Sequence, residues 1–448
     1  MDIRSNGEKK MNRIVEKGRT LIVNGPASVA VTSGKVEVFG TSANAAGKIV
    51  IREGKRLPFA VEEKASFDLS LAETGALEEV EGNTIPSSWL AAAAEMQELH
   101  STPGVALVLG ATDSGKTSFC TFLINKLVGQ KKKVAVLDAD LGQSDVGPPC
   151  SVAYTLVTKP ITDLFNLRAK NAAFIGTTSP SGVADKVIDA IAYLKKEVLE
   201  GKHDFIIVNS DGWIDGEEAV KFKVQMVQCI NPDIVFCIRK KDELTLLLDA
   251  LDKFRKCIVE TPPVVYERTM ERRKNLRELG YAKYLRNAKI QSFPFGWLRI
   301  EDNGMLGLNK APVNYKETKR ISDLLGMKPL HFSEQPDSIH VIIGRKRWIS
   351  AENLKKTEET TKKKVFLIRK GEEEGVLTGL YNSNRRFLGV GTLHEIDYVR
   401  KTIKIMTPVA SDIAIAMVGK VKLDKNCKEV PTFGEMNQTE LAGFSKLF

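Results

Sequence analysis

Residues 105–128 read VALVLGATDSGKTSFCTFLINKLV. A short apolar run, Val105 to Leu109, stops at Gly110; ATDSGKT follows, and then an apolar-periodic stretch from about Gly115 to Val128. This is G-x-x-x-x-G-K-[ST] in the strand–loop–helix setting the pattern requires. Gly110 and Gly115 let the backbone curl so that successive N–H groups point at a phosphate. The helix brings its positive end to the same point. Lys116 is placed to reach β and γ phosphates, and Thr117 offers a hydroxyl to Mg²⁺. Asp113, Ser114 and Ser118 complete the candidate nucleotide-binding loop. A phosphate loop of this kind does not by itself say which reaction follows.

Residues 133–138 (KVAVLD) have the apolar pattern of a buried parallel strand, so the helix between is a crossover. Ala139, Asp140, Leu141, Gly142 and Gln143 come next. A carboxylate at the C-terminal end of such a strand holds Mg²⁺ or its waters. Asp138 and Asp140 are the candidates. The chain is leaving the strand there, so their roles need not be identical, and Asp140 reaches furthest toward an acceptor. A pair of solvent-exposed strand-end carboxylates is the alternative. The segment GQSDVGPP that follows, with Gln143 and Ser144, is a rigid polar turn suited to substrate contact.

Strands are expected at 105–109, 133–138, 173–176, 204–209 and 233–238, four of them ending in polar or Gly-containing corners: GATDSGKT, DADLGQSD, GTTSPSG and NSDGWIDG. Asp185 to Glu200 and Ala219 to Ile230 are amphipathic helices. The fold class is therefore α/β, a P-loop NTPase with a doubly wound, mostly parallel sheet, whose ligand groups gather at the C-terminal strand ends.

Two further stretches stand out. In Asn209–Gly216 an indole, Trp213, sits beside Gly212 at a strand end; it either stacks on a base or packs inside a long loop. In YERTMERRKNLRELGYAKYL, Arg268, Arg272, Arg273 and Arg277 crowd one helix, with Arg273 and Arg277 sharing a face. Such a cluster either meets phosphates or lies on a solvent-facing helix with Glu271 and Glu278 as partners.

At 448 residues the chain is long enough for two or three domains. Its 43% hydrophobic and 27% charged residues are those of a globular protein, and the formal charge of +10 is compatible with a polyanionic partner. Six scattered cysteines without C-x-x-C read as buried thiols in a reducing, intracellular compartment. No membrane span is expected.

The expected organisation is in four parts. Residues 1–84 form a β-rich domain of six or seven strands, with a frayed polar start and a loop from Gly75 to Thr84. Its expected role is a structural platform. Residues 85–102 are a linker helix capped by Ser87 or Ser88, with Trp89 packing. Residues 103–290 are the nucleotide domain. Residues 291–448 are a β-rich barrel or sandwich with Trp297 in its core and a short helix at 318–326. Lys346, Arg347, Lys362, Lys363, Lys364, Arg385 and Arg386 either bind a nucleic-acid backbone or serve as a solubilising surface.

Taken in order, these motifs resemble the polynucleotide 5′-hydroxyl kinases, the archaeal and eukaryotic RNA-processing kinases related to the kinase subunit of pre-mRNA cleavage factor. G-x-x-D-x-G-K-[ST] is matched by Gly110, Asp113, Gly115, Lys116 and Thr117. D-x-D-x-G-Q is matched by Asp138, Asp140, Gly142 and Gln143. The family's T-x-G-W clasp is matched by Ser210, Gly212 and Trp213, with Ser in place of Thr. Its R-x-x-x-R lid is matched by Arg273 and Arg277, preceded by Arg268, and its S-P corner by Ser179 and Pro180. The resemblance spans most of the chain, including β-rich flanking domains. It implies ATP and Mg²⁺ as cofactors and a nucleic acid with a 5′-hydroxyl end, RNA preferred, as acceptor. It also implies RNA-processing protein partners. In it, Asp140 activates the hydroxyl, Lys116 and a Mg²⁺ held by Thr117, Asp138 and Asp140 bind the phosphates, and Arg273 and Arg277 clamp the moving group. Gln143, Ser144, Ser179, Asn209, Gly212, Trp213 and Arg268 contact the substrate, with Trp213 stacking on the terminal base. A nucleotide-binding scaffold subunit with little catalysis is the other expectation.

Overall fold

We describe a computed structural model of the chain over residues 9–44, 47–302, 315–410 and 412–432. It divides into two compact units, Met1–Ala173 with Ser179–Arg277, and Phe174–Thr178 with Glu278–Phe448. The N-terminal sheet, the linker helix and most of the nucleotide domain thus share one unit, and the division falls inside the arginine-rich helix.

The central sheet of the first unit has seven strands in the order Asn171–Phe174, Ser151–Val157, Val134–Ala139, Phe205–Ser210, Gly104–Gly110, Ile234–Arg239 and Lys256–Glu260. Phe205–Ser210 runs parallel to both neighbours, and Ile234–Arg239 runs parallel to both of its own. Ser151–Val157 runs antiparallel to Val134–Ala139. The doubly wound, mostly parallel α/β sheet is therefore present, with two strands more than the sequence pattern indicated. Ser151–Val157 returns directly from the Pro148-Pro149 turn, so no crossover helix announces it. Lys256–Glu260 is an edge strand with only a three-residue apolar run between charged ends.

Helix α1 (Ser87–Gln97) precedes this sheet. Pro86, not a serine, occupies its cap position, with no side-chain cap hydrogen bond. The Ser88 Oγ instead donates to Glu260 and accepts the Glu260 amide. Trp89 is wholly buried, packs edge-on against Phe119, and donates from Nε1 to the Glu260 carbonyl at 2.9 Å. It fixes α1 to the phosphate-loop helix α2 (Lys116–Gly129). The remaining helices are α3 (Ala184–Leu199), α4 (Glu217–Ile230), α5 (Thr245–Ala250) and α6 (Met270–Tyr284).

The N-terminal sheet also has seven strands. Two expectations there are corrected. Lys9–Val15 pairs with Ala65–Leu71, so the polar start enters the sheet by Lys9. Ala76–Glu81, expected as loop, pairs with Arg19–Asn24. Its glutamates hid the strand, and they are what hold it: Glu79 pairs with Arg13 and Arg19, and Glu78 with Arg56.

The second unit contains a seven-stranded sheet, in which Val376–Tyr381 lies between Phe387–Asp397 and Ile415–Leu423, and a three-stranded sheet of His331–Glu334, Ser338–Ile343 and Lys364–Arg369. The latter carries α7 (Tyr315–Leu325) and α8 (Ala351–Thr361), the second joining two parallel strands. This unit is thus β-rich but not purely β. The sequence AENLKKTEETT concealed α8, which is held by a Ser350 cap and little apolar surface. Trp297 is 79% exposed, not core; it sits in the turn after Lys289–Pro294, and its neighbour Leu298 fills the interior instead. Of the basic residues noted above, Lys363 pairs with Glu334 and Arg385 makes a two-pronged pair with Glu301, while Lys346 and Arg347 are exposed. All six cysteines are free thiols. Among the described residues no helix is long and apolar enough to cross a membrane.

Candidate active site

The phosphate loop joins the buried strand Gly104–Gly110 to α2. Gly115 stands at φ 99°, a conformation that favours glycine. A Cβ on Gly110 would sit 2.7 Å from Ser114 Oγ and 2.9 Å from the Ile238 carbonyl, so this cradle admits no side chain. Ser114 Oγ is buried without a hydrogen-bond partner among the described residues, aimed into a loop built for oxygens. Lys116 is buried, and its Nζ donates to the carbonyls of Gly110 (3.0 Å) and Ala111 (2.7 Å). Burial, together with the Lys223 charge, lowers its pKa to about 8 against the opposing pull of Asp140 and Asp211. These groups fit a nucleotide's phosphates: a glycine cradle, an unpartnered hydroxyl and a buried amine whose charged form anionic oxygens would favour.

The two carboxylates at the C-terminal end of Val134–Ala139, Asp138 within the strand and Asp140 just beyond it, divide their labour. Asp138 is fully buried. Its Oδ1 accepts Asn209 Nδ2 (3.0 Å) and the Asp140 amide (3.3 Å); its Oδ2 accepts the Asp145 and Val146 amides (2.8 and 3.2 Å) and Ser144 Oγ (3.5 Å). Burial, with the Asp140 and Asp145 charges, pushes it up to about 7. Asp138 is the anchor of the 140–147 loop. Asp140 is half-buried and spends only Oδ1 within that loop, on the amides of Gly142 (3.1 Å) and Gln143 (2.9 Å). Burial, then the Asp211 charge, raises its pKa, with Lys116 opposing.

The segment expected as a lid is tied to the phosphate loop itself. Asp113, with φ 58°, has its side chain turned to the lid: it accepts the Arg268 amide at 2.9 Å and Arg273 Nη2 at 2.8 Å, with Arg268 Nη1 at 3.5 Å. Gln143 Nε2 donates to the Arg273 carbonyl at 3.1 Å. Neither Glu271 nor Glu278 forms these contacts; Glu278 pairs with Lys428. Arg272 lies over the Tyr266 ring at 4.8 Å. Arg277 follows Arg273 by one turn of α6 and is half-buried.

At the end of Phe205–Ser210, the Ser210 hydroxyl donates to the Val108 carbonyl at 2.8 Å. Gly212 lies against the phosphate loop: a Cβ there would be 2.5–2.6 Å from Thr112 Oγ1, Cα and N. The two readings of Trp213 are both partly met, since the indole is half-exposed and leans on Phe222 with ring centroids 5.8 Å apart. Asn209 and Ser144 face inward and serve Asp138. Ser179 lies on an exposed turn after the edge strand, where its Oγ accepts the Ser181 amide.

Sequence reading missed Asp211 and Lys223. Lys223 is wholly buried on α4, with Nζ 2.6 Å from Asp211 Oδ2, and Asp211 Oδ1 accepts the Trp213 amide. The signal was there: Lys223 falls in the apolar series Ala219, Phe222, Met226, Val227, where a lysine needs a buried partner.

The family model for the P-loop of CLP1, the mRNA cleavage and polyadenylation factor, matches residues 110–287. The chain is 25% identical over 329 residues to a polyribonucleotide 5′-hydroxyl-kinase of Methanocaldococcus jannaschii, covering 72% of this chain and 88% of that protein. It is 26% identical over 332 residues to one of Pyrococcus furiosus, covering 73% and 90%. Among solved structures, Clp1p from a complex with Pcf11p superposes with a TM-score of 0.65 at 11% identity, covering 94% of this chain and 99% of that one. At that identity the superposition speaks to fold, and it extends across the β-rich flanks.

Proposed function

The chain belongs to the polyribonucleotide 5′-hydroxyl-kinase/CLP1 family, and from that premise we propose that it transfers the γ-phosphate of ATP to the 5′-hydroxyl end of RNA. The observation that supports this most is the tie between phosphate loop and arginines: Asp113, three residues before the buried Lys116, holds Arg268 and Arg273 beside that loop. Phosphoryl transfer needs positioning and charge neutralisation more than covalent chemistry. Asp140 accepts the proton of the 5′-hydroxyl as that oxygen bonds to phosphorus and the bridging oxygen leaves with ADP. Lys116, Arg273 and Arg277 neutralise the phosphate oxygens around the transfer. Thr117 and Asp140 are the groups to hold Mg²⁺, which when bound offsets phosphate charge; Asp138, already saturated, acts through the loop it ties. Arg268 holds the lid's entry, and Trp213 offers the exposed part of its indole to the terminal base. Clp1p is found with Pcf11p, and a protein partner for this chain belongs to the same reading.

The test is incubation with labelled ATP and four oligonucleotides, RNA and DNA, each with a 5′-hydroxyl or a 5′-phosphate. Label should pass only to 5′-hydroxyl ends, RNA first, and Lys116→Ala should abolish it in a folded protein. ATP that stays bound and intact beside 5′-hydroxyl RNA would favour the scaffold. Hydrolysis independent of any acceptor would favour a regulatory NTPase.

A further inference from the structure

The N-terminal sheet of the first unit reaches the 140–147 loop through a buried ion cluster. Residues 52–55 form the turn between strands Lys48–Ile51 and Arg56–Leu71. Arg52 Nη2 donates to Asp145 Oδ1 at 2.5 Å, and its Nε donates to Asp163 Oδ2 at 2.8 Å. Lys55 Nζ lies 3.2 Å from Asp163 Oδ1, and the Arg52 guanidinium lies 4.3 Å over the Phe165 ring. None of the four charged side chains is more than 16% exposed, and two cations meet two carboxylates, so no net charge is buried.

Asp145 belongs to the loop that carries Asp140. Its amide donates to Asp138, so the loop is gripped from inside by Asp138 and from outside by Arg52, with Asp140 between. The same turn touches the lid. A Cβ on Gly54 would come within 3.0 Å of Leu276 on α6, and Arg56 Nη1 donates to the Val264 carbonyl, just ahead of the lid arginines.

We propose that Arg52 is a positioning residue for phosphoryl transfer: the turn it anchors holds the 140–147 loop in register with the lid, so that Asp140 is aimed at the acceptor hydroxyl. The inference rests on the kinase reading above. Arginine suits the place because its fork meets two carboxylates on separate segments at once; a lysine point charge cannot. Without it, Asp145 and Asp163 are left buried with one cation between them. Asp145 then turns to water and draws its own amide away from Asp138. A displacement of about 1 Å at a catalytic group costs on the order of 100-fold in rate.

The experiment uses the full chain with Arg52→Gln. It reads three things: amide hydrogen exchange in 140–147 against 110–117, binding of an ATP analogue, and single-turnover transfer to saturating 5′-hydroxyl RNA. The expected result is faster exchange in 140–147 alone, unchanged analogue affinity and transfer slowed roughly 100-fold. Adding Asp145→Asn, which removes the stranded charge, should recover part of the rate. Unchanged exchange in 140–147, a normal rate in folded protein, or analogue affinity falling in step with rate would each overturn the proposal. If Arg52→Gln does not fold, Arg52→Lys is read by the same three measures. Absence of transfer in the wild type would instead overturn the kinase reading, while the exchange comparison would still decide whether Arg52 holds the loop.

Discussion

Asp140 and Gly212 show how differently two residues of one site carry their load. Asp140 keeps one carboxylate oxygen out of its own loop, and in the proposed transfer that oxygen takes the substrate proton. Asp140→Asn cannot accept the proton, so transfer should fall ~10²–10⁴-fold with ATP-analogue affinity nearly unchanged. Binding and single-turnover rate measured on one preparation check this; a collapse of affinity with a normal rate per bound complex would make Asp140 a metal-holding group only. Gly212 contributes by having no side chain. Its missing Cβ would lie inside the Thr112 backbone, so Gly212→Ala must push the phosphate loop aside. We expect a stability loss of about 1–3 kcal/mol, the usual cost of overpacking, together with weaker nucleotide binding. A melting curve with and without ATP analogue reads both.

At the scale of elements, the clasp after Phe205–Ser210 faces two ways. Trp213 leans on Phe222 of α4, yet part of its indole remains open. Trp213→Ala should weaken 5′-hydroxyl oligonucleotide binding by roughly 1–3 kcal/mol, equally for the four terminal bases, while ATP-analogue binding holds; Trp213→Phe should restore part of it. A large fall in melting temperature, with both ligands lost together, would make the residue a packing group alone. The elements around the phosphate loop were the ones legible in the sequence, because glycine spacing and apolar runs dictate them: Gly104–Gly110, α2 and Val134–Ala139 stand within a few residues of expectation, whereas the arginine-rich helix starts only at Met270 and leaves Arg268 in the segment before it. Less visible was anything fixed by partners distant in sequence. Asp113 reads as a phosphate-loop residue, and only the folded chain turns it toward Arg268 and Arg273. Asn209 and Ser144 read as substrate contacts and turn inward to Asp138. Ala76–Glu81 is held by arginines from three other strands, and Trp297 follows its turn outward while Leu298 fills the interior.

Across the first unit as a whole, the cluster of Arg52, Lys55, Asp145 and Asp163 ties the N-terminal sheet to the nucleotide domain, and it titrates. Burial by itself would raise the Asp163 carboxyl, but Lys55 and Arg52 outweigh it and hold that carboxyl well below the usual range. In the unfolded chain an aspartate titrates near ~3.9. A depressed folded value means that the stabilisation is complete above that pH and is lost as pH falls through the folded pKa. Asp163→Asn should therefore unfold more easily than the wild type at neutral pH, and the gap should begin to narrow below about pH 4 and close only once the pH passes below the depressed folded value. Urea midpoints at neutral and acid pH check this; a gap that does not narrow in acid would mean the cluster is held by packing instead of charge. The close seat of Gly212 on Thr112 brings the proposed nucleotide and acceptor loops into contact. If that contact couples the two loops, linkage requires that the factor by which nucleotide alters affinity for a chain end equal the factor by which the chain end alters affinity for nucleotide. Order of arrival can then change how quickly the ternary complex assembles, but never how stable it is once formed.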